Sequence, residues 1–372
     1  MAIINHHSKP FDEGTLTKLE LFEDYAKEWI PTFVMGGHKN IWIFDFFAGP
    51  GYDLNGIPGS PIRLLAQIDS QVGNIFQQKV KVNVCFNEFD KNKHDLLKIA
   101  CDDYIATHAN LQRAKDCKYL RIEYRNCDLA ELFPKTISTI EKYPSLVYLD
   151  QNGVKFLADT YLLELEKSET TDFLYYVSSS YILRFGNTPE FQSSLSIDVA
   201  KAKSQPYKYI HQELLNQLRA KLPIDTKLSL YPFTIKKRAN VYGVIFGASH
   251  PRGVEKFLRT AWNRNTQNGA ANFDIDDDAQ KIQLDIFEGK QPTKIEKFQQ
   301  MLRSEILNGQ VTSNKQAFDF TIQQGHITPH ATEVVRELKR NKIITYNAKQ
   351  PLISYENTYG KNKRIIAYEL VK

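Results

Sequence analysis

The run Asp45-Phe46-Phe47-Ala48-Gly49-Pro50-Gly51 follows four apolar residues, Ile41-Trp42-Ile43-Phe44, and constrains the fold more than any other stretch of the chain. The apolar quartet reads as a strand, and the closing Gly-x-Gly reads as a tight turn at its carboxyl end. Small residues in such a turn let the backbone approach a bound cofactor closely. A carboxylate at the strand end meets a hydroxyl or a positive group of that ligand. The run therefore predicts a nucleotide-type cofactor site at the first strand of a doubly wound sheet.

The segments that follow keep the same alternation. Strand-like stretches at 41–47, 80–87, 120–125, 145–150 and 172–179 alternate with helix-like ones at 60–70, 91–106, 129–142 and 157–168. Strands alternating with helices predict a mostly parallel sheet covered on both faces. An amphipathic helix over 15–34 precedes them, with Leu19, Phe22, Ala26, Trp29 and Ile30 among its apolar positions and Pro31 as its predicted end. After a helical stretch near 207–221, strands at 228–235 and 241–247 flank Lys236-Lys237-Arg238-Ala239-Asn240, which suits a hairpin. An α/β sheet that ends in an antiparallel hairpin is the methyltransferase variant of this architecture. A helix from Arg252 carrying Val254, Phe257, Leu258, Ala261 and Trp262 is expected to close the domain.

A chain of 372 residues has room for two domains. No stretch approaches the about 20 apolar residues of a membrane span. The N-terminus lacks the basic start and apolar run of a secretory signal. The four cysteines form no Cys-x-x-Cys pair and the histidines are scattered, so no metal site is expected. The thiols suit a reducing compartment, and a cytoplasmic location is expected.

Net charge is only +5, but it is unevenly placed. Residues 291–372 hold 13 Lys/Arg against 7 Asp/Glu, so the tail carries +6 and the rest of the chain −1. Such asymmetry suggests a polyanion as the partner of the tail. The polar stretch from Asn263, with Asp274, Asp276, Asp277 and Asp278, reads as a linker over 263–292. Beyond it come helices at 294–308 and 314–324, then a third opened by Thr328-Pro329, with apolar Ala331, Val334, Val335 and Leu338 at i, i+3, i+4 and i+7. Strand-like pieces at 343–346 and 364–370 surround a loop with Lys361, Lys363 and Arg364. Three helices and a β-wing describe a winged helix-turn-helix. The expected domains are thus 1–262, a linker at 263–292, and a basic winged-helix domain at 293–372. Arg336, Lys339, Arg340 and Lys342 on or beside the third helix, with the three wing cations, are the expected phosphate contacts.

Ligands of a doubly wound sheet bind outside the carboxyl ends of its strands. After the first strand stand Asp45, Phe46, Phe47, Ala48, Gly49, Pro50 and Gly51. After the second comes Glu88, placed to accept both ribose hydroxyls of a nucleoside. After the third come Asp128 and Leu129, a carboxylate and an apolar neighbour suited to adenine. After the fourth come Asp150, Gln151 and Asn152, where the reacting group is expected. Ser178 and Ser179 after the fifth strand, with Ser60 as cap of the first crossover helix, complete the expected acceptor side.

A nicotinamide dinucleotide fits poorly. Its fingerprint needs a third glycine running straight into a helix, and position 54 is Leu, with the helix starting later at Ser60-Pro61. S-adenosylmethionine carries no phosphate and needs no such anion site. The 45–51 run, with Gly59-Ser60-Pro61, Thr17-Lys18, Asp150-Gln151-x-Gly153 and His250-Pro251-x-Gly253 within 246–262, resembles the three-Cys-motif partner protein (TcmP) family over about 10–262. That resemblance implies a Rossmann-like methyltransferase fold, S-adenosylmethionine as cofactor, and a partner protein with a three-cysteine motif.

The fourth strand end lacks the prolines and the adjacent aromatic with which base-amine methyltransferases hold a flipped base. Two functions therefore stand: a methyltransferase acting on nucleic acid, with Asp150 orienting the acceptor, or a non-catalytic nucleic-acid-binding adaptor of the same fold that recruits a partner enzyme.

Overall fold

Strands β1 (Asn40–Asp45), β2 (Lys81–Asn87), β3 (Leu120–Arg125), β4 (Ser145–Leu149) and β5 (Thr171–Ser178) pair in parallel. Every residue of β4 is buried, as expected of a central strand covered on both faces. β6 (Ser229–Lys237) and β7 (Asn240–Ala248) form the expected hairpin, and β7 adds antiparallel to β5 with Tyr242 opposite Ser178. The order is β3-β2-β1-β4-β5-β7-β6, a doubly wound methyltransferase-type sheet. This computed structural model describes residues 10–151, 159–194, 197–238, 240–283 and 291–371. The chain divides into two units, Met1–His250 and Pro251–Lys372.

In the first unit α1 (Glu13–Met35) precedes the sheet, and α2 (Ser60–Asp69) and α3 (Val72–Gln78) connect β1 to β2. α4 (Lys91–Thr107) and α5 (Ala109–Asp116) lead to β3, α6 (Leu129–Lys142) to β4, and α7 (Asp159–Glu166) to β5. α8 (Ser179–Phe185), α9 (Pro189–Ser194), α10 (Val199–Ser204) and α11 (Ile210–Arg219) precede the hairpin. The Asp12 side chain caps α1 by accepting the Thr15 N–H at 3.0 Å. α1 then runs through Pro31, where the sequence predicts its end. A proline interrupts one helical hydrogen bond, but full burial of Val34 in the next turn holds the helix together until Gly36. On the buried face of α1, Phe22 stacks on Tyr148 of β4 at 4.1 Å and Tyr25 meets Phe246 of β7 edge-on. The order of the strands reverses between β1 and β4, so the crevice of this sheet opens outside the ends of those two strands.

The second unit begins earlier than the sequence boundary at 262. α12 (Pro251–Arg264), expected to close the first domain, belongs to the second unit. Its Trp262 is 1% exposed and donates from Nε1 to the Gly325 carbonyl at 2.9 Å. The described part of the expected linker is folded rather than extended. Asn265 and Asn268 each donate to the Phe273 carbonyl, at 3.1 and 2.8 Å, and Ala271 and Ile275 are fully buried ahead of α13 (Asp278–Gln283). Asn and Asp, read from composition as solvated, here close local turns through their side chains.

α14 (Lys294–Leu307), α15 (Asn314–Gln323) and α16 (Thr328–Arg340) form the three-helix part of the winged unit. Ala331, Val334, Val335 and Leu338 of α16 are buried, as their spacing predicts. The wing is shorter than expected. β8 (Ile344–Thr345) pairs with β9 (Glu369–Leu370), and a turn of helix, α17 (Tyr355–Thr358), stands between them.

Asn314 stitches this unit together. It is fully buried, donates to the carbonyls of Leu352 (2.9 Å) and Arg364 (3.0 Å), and accepts the Ile366 N–H at 2.9 Å. Asn314→Ala leaves three backbone groups without these partners and is expected to cost about 3 kcal/mol. Urea unfolding followed by tryptophan fluorescence checks this, with a lower midpoint for the variant.

Candidate functional site

Asp45 ends β1 fully buried, and two groups close around its carboxylate. The Ser60 hydroxyl donates to Oδ2 at 2.6 Å and the Phe47 N–H to Oδ1 at 3.3 Å. Burial is the largest influence on its acidity, and Asp150 and Glu88 nearby add repulsion. Together they raise its pKa from 3.8 to about 7 despite the two hydrogen bonds. Ser60 is thus a support for Asp45 rather than a helix cap or a free acceptor-side hydroxyl. The cap position of α2 is Gly59, whose N–H donates to the Gly51 carbonyl at 2.8 Å.

The turn after Asp45 is built from backbone. Gly49 and Gly51 have φ of 66° and 95°, which glycine alone adopts without strain. A side chain at Gly51 would also meet the Ala100 Cβ of α4 at 2.7 Å. The Phe46 ring points into the core, stacked at 5.6 Å on Phe44, so only its backbone belongs to the loop. Phe47 and Pro50 are half-buried, and Ala48 is buried with its N–H on the Asn87 carbonyl.

Glu88 follows β2 and braces two loops. Its Oε2 accepts the Gly49 N–H at 3.0 Å and its Oε1 accepts the Asp90 N–H at 2.9 Å. Both oxygens keep further acceptor capacity, the property that suits a pair of vicinal hydroxyls. Asn87, to which the sequence reading gave no role of its own, laces three strand ends. Its amide donates to the carbonyls of Phe46 (3.2 Å) and Cys127 (3.1 Å), and its carbonyl accepts the Cys127 N–H at 3.3 Å. Asp128 caps α6 through the Ala130 N–H at 2.8 Å. Leu129 is 2% exposed inside the hydrophobic core beside Phe133, so it lies behind the surface an adenine would use. A helix-cap reading of Asp128 explains both, since the first apolar residue after a cap packs inward.

At the fourth strand end Asp150 is paired. Lys18 Nζ of α1 lies 2.5 and 2.6 Å from its two oxygens and 4.3 Å from the centre of the Tyr176 ring. Gln151 is buried, and Asn152 lies outside the described residues. Ser178 caps α8 by accepting the Tyr181 N–H at 3.3 Å, and Ser179 is fully buried. The loop after Gly51 turns about Asp53, which accepts the N–H groups of Asn55 and Ile57 at 2.8 Å and of Phe11 at 2.7 Å.

Tyr176 and Asp53 escaped the motif reading, and Lys18 and Asn87 were read without these roles, because the roles depend on partners 40 or more residues away in most cases. The edge thereby gathers Asp45, Glu88 and Asp150 around a backbone turn, an arrangement suited to a cationic ligand that also carries hydroxyls. Among the described residues, no group of three His, Cys, Asp or Glu is disposed to hold a metal ion, and no helix is long and apolar enough to cross a membrane.

In the winged unit Lys361, Lys363 and Arg364 are exposed. Arg364 donates to the Asn347 carbonyl at 2.9 Å. Two of the expected recognition-helix cations are committed internally. Arg336 donates to the Gln350 side chain through Nε at 3.0 Å, and Lys339 binds the carbonyls of Tyr346 (3.1 Å) and Ala348 (2.9 Å). They hold the wing to α16, which charge counting could not reveal.

Residues 270–351 match the family of GMT-like winged helix-turn-helix domains. No curated protein matches the sequence. Among solved structures, Trm1 from Pyrococcus horikoshii in complex with S-adenosyl-L-methionine is similar at TM-score 0.36 and 12% identity, over 68% of this chain and 59% of that one. A putative class I S-adenosylmethionine-dependent methyltransferase from Listeria monocytogenes gives 0.29 and 12%, over 67% and 64%. SCL7 from Oryza sativa gives 0.27 and 10%, over 63% and 82%. The chain spans less than two thirds of the first two structures, and its methyltransferase-type fold stands on the strand order.

Because Asp45 holds its proton more tightly folded than unfolded, its contribution to stability is fully present below its ordinary value of 3.8 and is lost as pH rises through about 7. Asp45→Asn removes that loss. The variant is expected to exceed the wild type by a few kcal/mol at pH about 8 and to match it near pH 4. Denaturant titrations across that range check the sign and the convergence.

Proposed function

We propose that the first unit binds S-adenosylmethionine and transfers its methyl group to nucleic acid presented by the winged-helix unit. The observation that carries this reading is the set of three carboxylates, Asp45, Glu88 and Asp150, around a positive-φ glycine turn at the crevice of the sheet. When bound, the cofactor supplies a methyl group on a positively charged sulfur, a charge that vanishes when the carbon–sulfur bond breaks.

The donor set fits such a ligand. Glu88 is held by two backbone N–H groups with acceptor capacity left for ribose hydroxyls. Gly49 and Gly51 leave the turn without side chains, so a ligand can approach the backbone. Asp45 gains ionisation beside a cation, and Asp128 caps α6 at the third strand end, on the side where a nucleobase would lie. Asp150, held by Lys18, orients the acceptor, and the sheet's main contribution is positioning. The exposed Lys361, Lys363, Arg340 and Lys349 support a phosphodiester partner for the winged unit. The resemblance to the TcmP family adds a three-cysteine-motif protein as a proposed partner.

A second reading is favoured by the Lys18–Asp150 ion pair, which already satisfies both oxygens of the expected acceptor residue. In that reading the unit binds nucleic acid and a partner enzyme without transferring a methyl group.

Calorimetry with S-adenosylmethionine, with NADH as control, tests the cofactor. Saturable binding is expected for the first ligand only, weakened at least tenfold by Gly51→Ala. Near pH 7, binding should release part of a proton to the buffer as Asp45 ionises. Labelled methyl appearing in RNA or DNA supports transfer, whereas binding without transfer supports the adaptor. No binding overturns the cofactor assignment.

A further inference from the structure

Lys18 is the one cation drawn into the carboxylate edge among the described contacts, and its setting is specific. Its side chain is 11% exposed and that of Asp150 18%. Both oxygens of Asp150 are within 2.6 Å of Nζ. The ammonium also lies over Tyr176, which stacks at 5.9 Å on Tyr242 of the neighbouring strand.

The helix that carries Lys18 is anchored at its start. Asp12 pairs with Lys237 at the end of β6, and the Phe11 N–H binds Asp53 in the loop beyond the glycine turn. One segment of eight residues, Phe11–Lys18, therefore reaches the loop after β1 and the ends of β4 and β6 together. Sequestering an ammonium this far from water is costly unless a partner compensates it, so the position of Lys18 is tied to Asp150.

We propose that Lys18 is a positioning residue that sets the charge of the acceptor side, neutralising Asp150 so that the cleft does not over-stabilise a cationic cofactor in its ground state. This rests on the S-adenosylmethionine reading above. A carboxylate left bare beside a charge that the reaction cancels would favour the bound reactant more than the transition state, raising affinity while lowering turnover. With Lys18 in place, Asp45 and Glu88 are left to attract the cation. Asp150 keeps a fixed orientation, held through both oxygens by Lys18.

The test compares two ligands of the same nucleoside. S-adenosylhomocysteine is neutral at sulfur, and sinefungin carries an ammonium near the position of the transferred methyl. Their affinities for the full chain are measured by calorimetry at low and high salt. Lys18→Met is expected to raise the sinefungin-to-S-adenosylhomocysteine affinity ratio about fivefold or more at low salt. Asp150→Asn, which leaves Lys18 uncompensated, is expected to lower it, and Lys18→Arg to retain the wild-type ratio. A merely structural role would weaken both ligands together and move the ratio in neither direction. Binding of both ligands with ratios unchanged across the variants overturns the proposal. Failure of sinefungin alone to bind the wild type overturns the proposal, and failure of both ligands overturns the cofactor reading beneath it as well.

Discussion

Parallel strands covered on both faces leave no room for charge along their length, and this constraint organises the molecule. The carboxylates of the inner strands β1 and β5 consequently stand at strand ends, whereas the edge strand β3 carries Arg121 and Glu123 along its length. Asp45 and Asp172 illustrate the two outcomes. Each is fully buried, and burial raises each to about 7. Asp172 lies at the start of β5, where the Tyr25 hydroxyl closes on it at 2.6 Å, a purely structural arrangement. Asp45 lies at the opposite end of its strand, among the loops, with two further carboxylates nearby.

That edge is held by hydrogen bonds between loops rather than by the loops' own conformations. Asn87 and Glu88 tie the end of β2 to the turn after β1, and Asn126 donates to the carbonyls of Glu88 and Phe89 at 2.7 and 2.9 Å. A turn braced in this way is preorganised, so ordering it costs little when a ligand arrives. The N-terminal helix adds the electrostatic counterpart through Lys18. The winged unit follows the same economy, since Asn314, Arg336 and Lys339 spend their polar atoms on holding its own wing.

Much of the fold was legible because its signals are local. The alternation of strand and helix, the closing hairpin, the three tail helices and the buried face of α16 all follow from periodicity and turn residues. Pro31 and the 263–283 stretch misled for a single reason. Each has a local preference that tertiary contacts overrode, the burial of Val34 in one case and that of Ala271, Ile275 and Trp262 in the other. The wing was overestimated because β-branched residues near 364–370 favour strand, while only Glu369 and Leu370 pair with β8 and Ala367 makes an isolated bridge to Ser313 instead.

By itself the sequence determined which residues stand at the carboxyl edge, since chain order and strand position place Asp45, Glu88, Asp128 and Asp150 there whatever the details of packing. It also determined the glycine turn, because Gly49 and Gly51 adopt positive φ without the strain a side chain would add. Only the tertiary structure decided what each group does at that edge. Ser60 turns to Asp45, Leu129 turns inward, Lys18 neutralises Asp150 across 132 residues, and Lys339 caps carbonyls rather than facing solvent. The reason is physical: the ionisation and reach of a side chain depend on its distance to other charges and to water, and those distances exist only once the chain has folded.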